Sequence, residues 1–225
     1  MSFIELTDRG FHRHGTIGTL RHAVRASCNC LRQGLHLSEN QIWYFLRLSG
    51  PRPRLPLPEG VDCTRATEAE LRTLPCFETL REKEARSRFA LGAELWLLRG
   101  AARAAGAFWM FHGHAPLRKV RGGWLTLSSD VACLENAGAS AASHNRGLVS
   151  AGWLRLAERE AQAGTRVLLA KLAQEDAAAR RSAENAGFAP LACVSFLRLC
   201  LYSRVRVYLL SGDPIIDFLL EQLAA

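Results

Sequence analysis

With 225 residues and 48% hydrophobic content, the chain is long enough to bury one substantial core with at most a small appendage, which excludes a string of independent domains. No uninterrupted apolar run reaches the roughly 18–20 residues that cross a bilayer, and residues 1–15 lack the apolar centre of a signal peptide, so the expected compartment is the cytoplasm. The formal net charge is +8; residues 1–58 carry much of it, with Arg9, Arg13, Arg21, Arg25, Arg32, Arg47, Arg52 and Arg54 set against Glu5, Asp8 and Glu39.

The seven cysteines lack C-x-x-C spacing, so no zinc site or dithiol centre is expected, and Cys28-Asn29-Cys30 has poor geometry for a metal pair. Arginine greatly outnumbers lysine and alanine is abundant, a composition typical of a GC-rich bacterial genome.

In chain order, Leu20, Val24, Cys28, Leu31 and Leu35 fall on one face of a helix predicted over residues 16–35, flanked by Arg21, Arg25 and Arg32. Such a basic amphipathic helix can lie on a membrane surface, although packing its stripe on the protein is the plainer account. A strand follows over residues 42–48. Pro51, Pro53, Pro56 and Pro58 then interrupt regular pairing and place a boundary near Glu59, giving an N-terminal extension (1–58) and a main domain (59–225). Residues 61–66 read as a strand, and Thr67 with Glu70 as a capping box opening a helix that runs to Leu74. A helix over 77–91 and strands over 94–99 and 104–114 come next, with one or two more strands within 124–139.

From residue 131 the pattern alternates strand and helix: 131–139, 147–163, 166–172, 176–186 and a return at Phe188. This requires a largely covered sheet. Val149, Trp153, Leu156 and Ala157 form the stripe of the first helix and Gly164 ends it. The run Val167-Leu168-Leu169-Ala170 lacks the alternation of a strand facing water, so both its faces should be buried. Asp176 suits an N-cap and Gly187 a left-handed terminus. Asp213-Pro214 opens a last short helix, 215–223.

The turn His144-Asn145-Arg146-Gly147-Leu148-Val149 lies between a strand and a helix, where the first helical amides have no partner inside the helix and favour an anion. With the strand before it, the buried strand after it and the Gly187-Phe188 return, it resembles the GNAT acyltransferase superfamily over about residues 61–199. That family's turn reads Q/R-x-x-G-x-G/A; here His144 replaces Gln or Arg and Val149 replaces Gly or Ala. The family's later N-x-x-A or N-x-x-S helix aligns with Asp176-Ala177-Ala178-Ala179, with Asp176 in place of Asn.

The resemblance implies an α/β fold with a GNAT-type central mixed sheet flanked by helices, preceded by a helix-and-strand extension. It implies an N-acyltransferase that moves an acyl group from acetyl-CoA, or another acyl-CoA, to an amine on a small molecule or a protein. The diphosphate would meet the turn at His144, Asn145, Arg146, Gly147, Leu148 and Val149, and Asp176 would stand at the family's Asn position. The pantetheine arm would meet main-chain groups near Ala137, Gly138 and Ala139. Glu135 is the base expected from the carboxylate the family often places before its turn; a strand charge paired to an arginine is the simpler account. The tyrosine the family uses as acid aligns near Ala183, leaving Tyr202 and Tyr208 as replacements.

His112-Gly113-His114 puts two imidazoles on one side of a predicted strand, yet two histidines alone make a weak metal site, and no metal is expected. Trp109 and Trp124 are candidates for lining an acceptor cleft, or core residues of a sheet. No nucleic-acid partner is implied, and a homodimer is left open. The rival readings are a noncatalytic CoA-binding module and a membrane or protein adaptor.

Overall fold

In the computed structural model the described residues are 3–7, 37–73, 82–100, 104–117, 124–139, 147–199 and 202–224. The helix predicted over residues 16–35 lies outside them, as do His144, Asn145 and Arg146 of the turn. The chain divides into two compact units, one of residues 42–190 and one of residues 1–41 with 191–225. The strand expected over 42–48 therefore belongs with the residues that follow the proline-rich segment.

The strands, in chain order, are β1 (Phe3–Thr7), β2 (Leu37–Arg47), β3 (Asp62–Ala66), β4 (Glu94–Arg99), β5 (Ala104–His112), β6 (His114–Pro116), β7 (Trp124–Thr126), β8 (Val131–Ala139), β9 (Val167–Ala173), β10 (Ala189–Leu199) and β11 (Tyr202–Leu209). The helices are α1 (Glu82–Ala90), α2 (Leu148–Gln162), α3 (Ala177–Asn185) and α4 (Ile215–Ala224), with a 3-10 turn at Glu68–Thr73.

In the larger unit the strand order is β2-β9-β8-β5-β4-β3. Strands β3, β4, β5 and β8 pair antiparallel in succession, and β8 pairs parallel with β9. The β8-α2-β9 crossover explains why β9 reads as an unbroken apolar run: a parallel strand covered on both faces has no solvent side to mark. Residues 167–172 are all buried.

Cross-strand partners share a face. Trp109, Glu135 and Lys171 thus stand on one face, where Arg88 of α1 reaches Glu135. Phe108 and Leu98 stand on the other, against α2. There Gly152 is a requirement of packing: a Cβ on it would lie 3.0 Å from Phe108 Cε2 and 3.4 Å from Leu98 Cδ1. A mid-helix glycine costs about 1 kcal/mol relative to alanine, and this one lets the helix backbone approach the sheet. Its neighbour Trp153 is fully buried, edge-on to Phe108 at 6.4 Å and to Phe188 at 5.2 Å between ring centres.

The caps follow the sequence signals. Asp176 Oδ1 accepts from Ala179 N–H at 2.9 Å, and Gly187 at φ 86° turns the chain so that Phe188 N–H donates to Ala183 O at 3.0 Å. Thr67 N–H donates to Glu70 Oε2 at 2.7 Å, but the element it opens is the 3-10 turn rather than an α-helix.

One expectation is corrected and one alternative decided. Gly113 (φ 70°) ends β5 at His112, and His114 begins β6, which pairs with β7 in a separate two-stranded sheet; the two imidazoles therefore do not share one side of a strand. Trp109 is fully buried, stacked edge-on with Phe89 at 5.1 Å, so it fills the core, while Trp124 stands exposed on β7.

The other unit holds β1, β11 and β10, paired antiparallel in that order, together with α4. Among the described residues, no helix is long and apolar enough to cross a membrane.

Candidate functional site

The parallel register of β8 and β9 runs Val131↔Val167 to Glu135↔Lys171. Strand β8 then continues to Ala139 along β5, with a bulge: Phe108 faces Asn136, Ala107 faces Gly138, and Ala137 is the extra residue. A bulge bends its strand and increases local twist, and this one falls just past the point where the register with β9 stops. Ala137, Gly138 and Ala139, the segment expected to meet an extended thioester arm, lie in that stretch.

Where the register of β8 with β9 ends stands a buried charge cluster. Glu135 is 3% exposed and Lys171 4%. Lys171 Nζ lies 3.5 Å from Glu135 Oε2 and donates to Pro116 O at 2.6 Å. Arg88 Nη2 lies 3.3 Å from Glu135 Oε1 and 2.7 Å from Glu84 Oε1, with its guanidinium over the rings of Trp109 and Phe111 at 5.4 and 5.6 Å. Glu135 therefore sits between two cations, the arrangement of a structural ion pair, rather than projecting alone into a cleft. Breaking such a buried pair leaves an uncompensated charge and is costly.

Sequence reading had singled out Glu135 but not Lys171 or Arg88. A signal for Lys171 was present: a lysine inside an otherwise apolar buried strand must have a carboxylate partner.

At the far end of β8 the helix begins. Gly147 is its N-cap, at φ 68° and ψ 8°, without a side-chain cap. This left-handed conformation suits glycine, and the space a Cβ would take is open, with nothing within 4 Å. Val149 is fully buried, so its branched side chain enters the core. Ser150 is turned inward as well, its hydroxyl donating to Ser182 O of α3 at 2.9 Å. The amides of the first turn thus meet no capping side chain from residue 147, at the positive end of a 15-residue helix. These features fit a diphosphate.

Asp176 spends its carboxylate on capping α3. Ala183, where the family's tyrosine would fall, is fully buried. Tyr208 lies on β11, in the other unit, facing Cys193 and Phe3 in register. Tyr44 of β2, which sequence reading passed over, donates to Glu184 Oε1 at 3.0 Å, and burial followed by that bond pushes its hydroxyl up to about 12, which keeps it protonated.

Away from the charge cluster, His112 and Glu160 form a second polar pair on the α2 face. His112 Nε2 is 2.9 Å from Glu160 Oε2, and Thr165 Oγ1 donates to the same oxygen at 2.8 Å. The hydrogen bond to Glu160 raises the imidazole above its ordinary range. Burial pushes Glu160 upward, but the bonds from His112 and Thr165 outweigh it and the carboxyl ends below its ordinary range. No group of three or more metal-binding side chains occurs among the described residues.

A mixed sheet with a parallel β8-α2-β9 crossover, a bulge in β8 and a helix starting on a left-handed glycine make a fold that known structures share. An acetyltransferase of the GNAT family from Colwellia psychrerythraea superposes with a TM-score of 0.50 at 13% identity, over 83% of this chain and 62% of its own. A GCN5-related N-acetyltransferase from Kribbella flavida gives 0.49 at 14% identity, over 89% and 76%. A putative GNAT acetyltransferase from Novosphingobium aromaticivorans gives 0.46 at 14%, over 79% and 69%. The chain thus spans less than two thirds of the Colwellia structure. No family model matches it, and no curated protein matches it in sequence. The chain is a divergent protein of the GNAT fold.

Proposed function

We propose that this protein is an acyl-CoA-dependent N-acyltransferase that moves an acetyl or related acyl group from the CoA thioester to an amine of a small molecule or protein. One observation carries the reading: the register of β8 with β9 stops at Glu135↔Lys171 while β8 bulges at Ala137 and goes on beside β5. An unbroken parallel sheet would leave no room for a thioester arm.

In this reading the pantetheine amides pair with the main chain of residues 137–139. The diphosphate rests on the first turn of α2 beyond Gly147, with His144, Asn145 and Arg146 in the segment leading to it. Holding thioester and amine in attack geometry supplies much of the rate, because the translational and rotational cost is met on binding. The amine nitrogen attacks the acyl carbon, the C–N bond forms and the C–S bond breaks. The ammonium proton passes to solvent or a relay, and the CoA thiolate takes a proton back from water. Glu135, fixed between Arg88 and Lys171, stands where that register ends; as a base it would have to act through an intervening water.

The test is binding followed by turnover. Acetyl-CoA should raise the melting temperature in proportion to the logarithm of its concentration at saturation, and Gly147→Trp should abolish the rise, with the variant's unliganded melt as control. No shift with any acyl-CoA would remove the proposal. A second reading, a noncatalytic CoA-binding module, is favoured by the buried Ala183 at the family's tyrosine position. CoA binding without thioester loss across a broad panel of amines would select it.

A further inference from the structure

The outer half of α2 builds a second feature that the acyl-CoA reading leaves unused. Arg155 and Arg159 stand one turn apart on the helix, and with Leu156 and Gln162 they face Cys63 of β3 and Trp96 of β4 across a cavity of about 230 Å³. The turn at Gly147 is not among its walls, so the cavity and the cofactor turn are separate places on one helix.

Its walls have one character. The Arg159 guanidinium lies over the Trp96 ring, 4.4 Å from the ring centre, an arrangement that fixes the cation and keeps its plane ordered. Trp96 is fixed in turn, its Nε1–H donating to Glu94 Oε2 at 3.0 Å. Among the described residues no carboxylate lines the space. Glu94 is engaged with Arg65 at 3.1 Å and Glu160 with His112 and Thr165, while Glu158 pairs with Arg155 itself at 3.2 Å, both side chains being exposed. Among the described residues, Arg159 has no ion-pair partner. Cys63 adds a neutral wall, since burial pushes its thiol up to about 11.

We infer that this cavity binds a small organic carboxylate with a flat apolar body, the carboxylate held in the fork of Arg159 with Arg155 and the body against Trp96 and Leu156. A planar guanidinium matches a carboxylate in two parallel hydrogen bonds. The volume is below the roughly 300–1,000 Å³ that receives drug-sized ligands, which selects a molecule of about one ring.

The probe is benzoate, followed through the indole N–H resonance of Trp96, which Trp96→Phe assigns. Benzoate should move that signal saturably with a dissociation constant at or below about 10 mM. Neutral benzamide should leave it in place. Arg155→Gln and Arg159→Gln should each weaken binding about ten-fold, the loss expected for one charge-assisted contact. Arg155 is 64% exposed and its removal leaves the helix folded, so that variant remains informative even if loss of Arg159 disturbs the packing. Gly147→Trp should bind benzoate as the parent does, which separates failure here from failure of the acyl-CoA reading. An absent or unsaturable shift overturns the inference, as do an equal response to benzamide, unchanged affinity in Arg155→Gln, or a response to inorganic phosphate alone.

Discussion

The two halves of β8 follow opposite rules. Residues 132–135 have a strand on either side, β5 and β9, and are all buried; residues 136–139 keep their register with β5 alone and carry a bulge. In the first half the sheet is closed and stability decides every side chain. In the second the register with β9 is gone, and it is here that the proposed function sets the thioester arm. Glu135, Lys171 and Arg88 mark the border. Charge is placed where the ladder ends, so that extending the ladder would have to work around a buried ion cluster.

The sharpest way to break this comparison is to remove the border. Glu135→Ala leaves Arg88 and Lys171 buried without their shared carboxylate and should cost about 3–5 kcal/mol, read from urea denaturation. Glu135→Gln separates the two roles open to this residue: a large stability loss assigns it to the ion cluster, whereas a parent-like melt with acyl transfer abolished assigns it to proton transfer.

Within the closed half, Gly152→Val forces a branched side chain into the Phe108 ring, 3.0 Å from where its Cβ would stand. Overpacking of this kind costs about 1–3 kcal/mol, and the midpoint of denaturation should fall without loss of cooperativity. Asp176→Ala removes the single side-chain cap of α3 and should cost about 1 kcal/mol. Because Asp176 is read here as a cap, acetyl-CoA affinity should change little; a large loss of affinity at unchanged stability would return it to the cofactor site.

The smallest effect concerns the pair on the α2 face. His112 is raised above its ordinary 6.5 by its bond to Glu160, so its contribution is fully present below that pH and is lost as pH climbs through the raised value. Glu160 is lowered below its ordinary 4.5, so its share is present above that pH and lost as pH falls through the lowered value. The stability difference between the parent and His112→Gln should therefore be greatest between pH 4.5 and 6.5 and shrink above it. A difference that grows toward alkaline pH would show that the pair is not ionised as described.

How much of this was legible in the sequence depends on the range of the interaction. The α2 stripe, the Asp176 cap, the Gly187 terminus and the twice-buried β9 were read correctly because each is set by neighbours within about one or two helical turns. The histidine pair misled because a two-residue period assumes the strand continues, and the positive φ at Gly113 ends it. Glu135 was noticed for its place before the turn, yet its partners come from positions 47 residues earlier and 36 later in the chain. No local pattern links them.

Composition and periodicity thus determined the order of strands and helices, the buried crossover and the point at which α2 starts. Tertiary structure alone decided that β8 would leave β9 after residue 135, that Arg88 would close a charge cluster there, and that Arg159 would lie over Trp96. Hydrophobic patterning sets which face of an element is buried, because burial scales with apolar area and needs no particular partner. Directional contacts between distant residues need a partner and a geometry, and those exist only once the chain has folded.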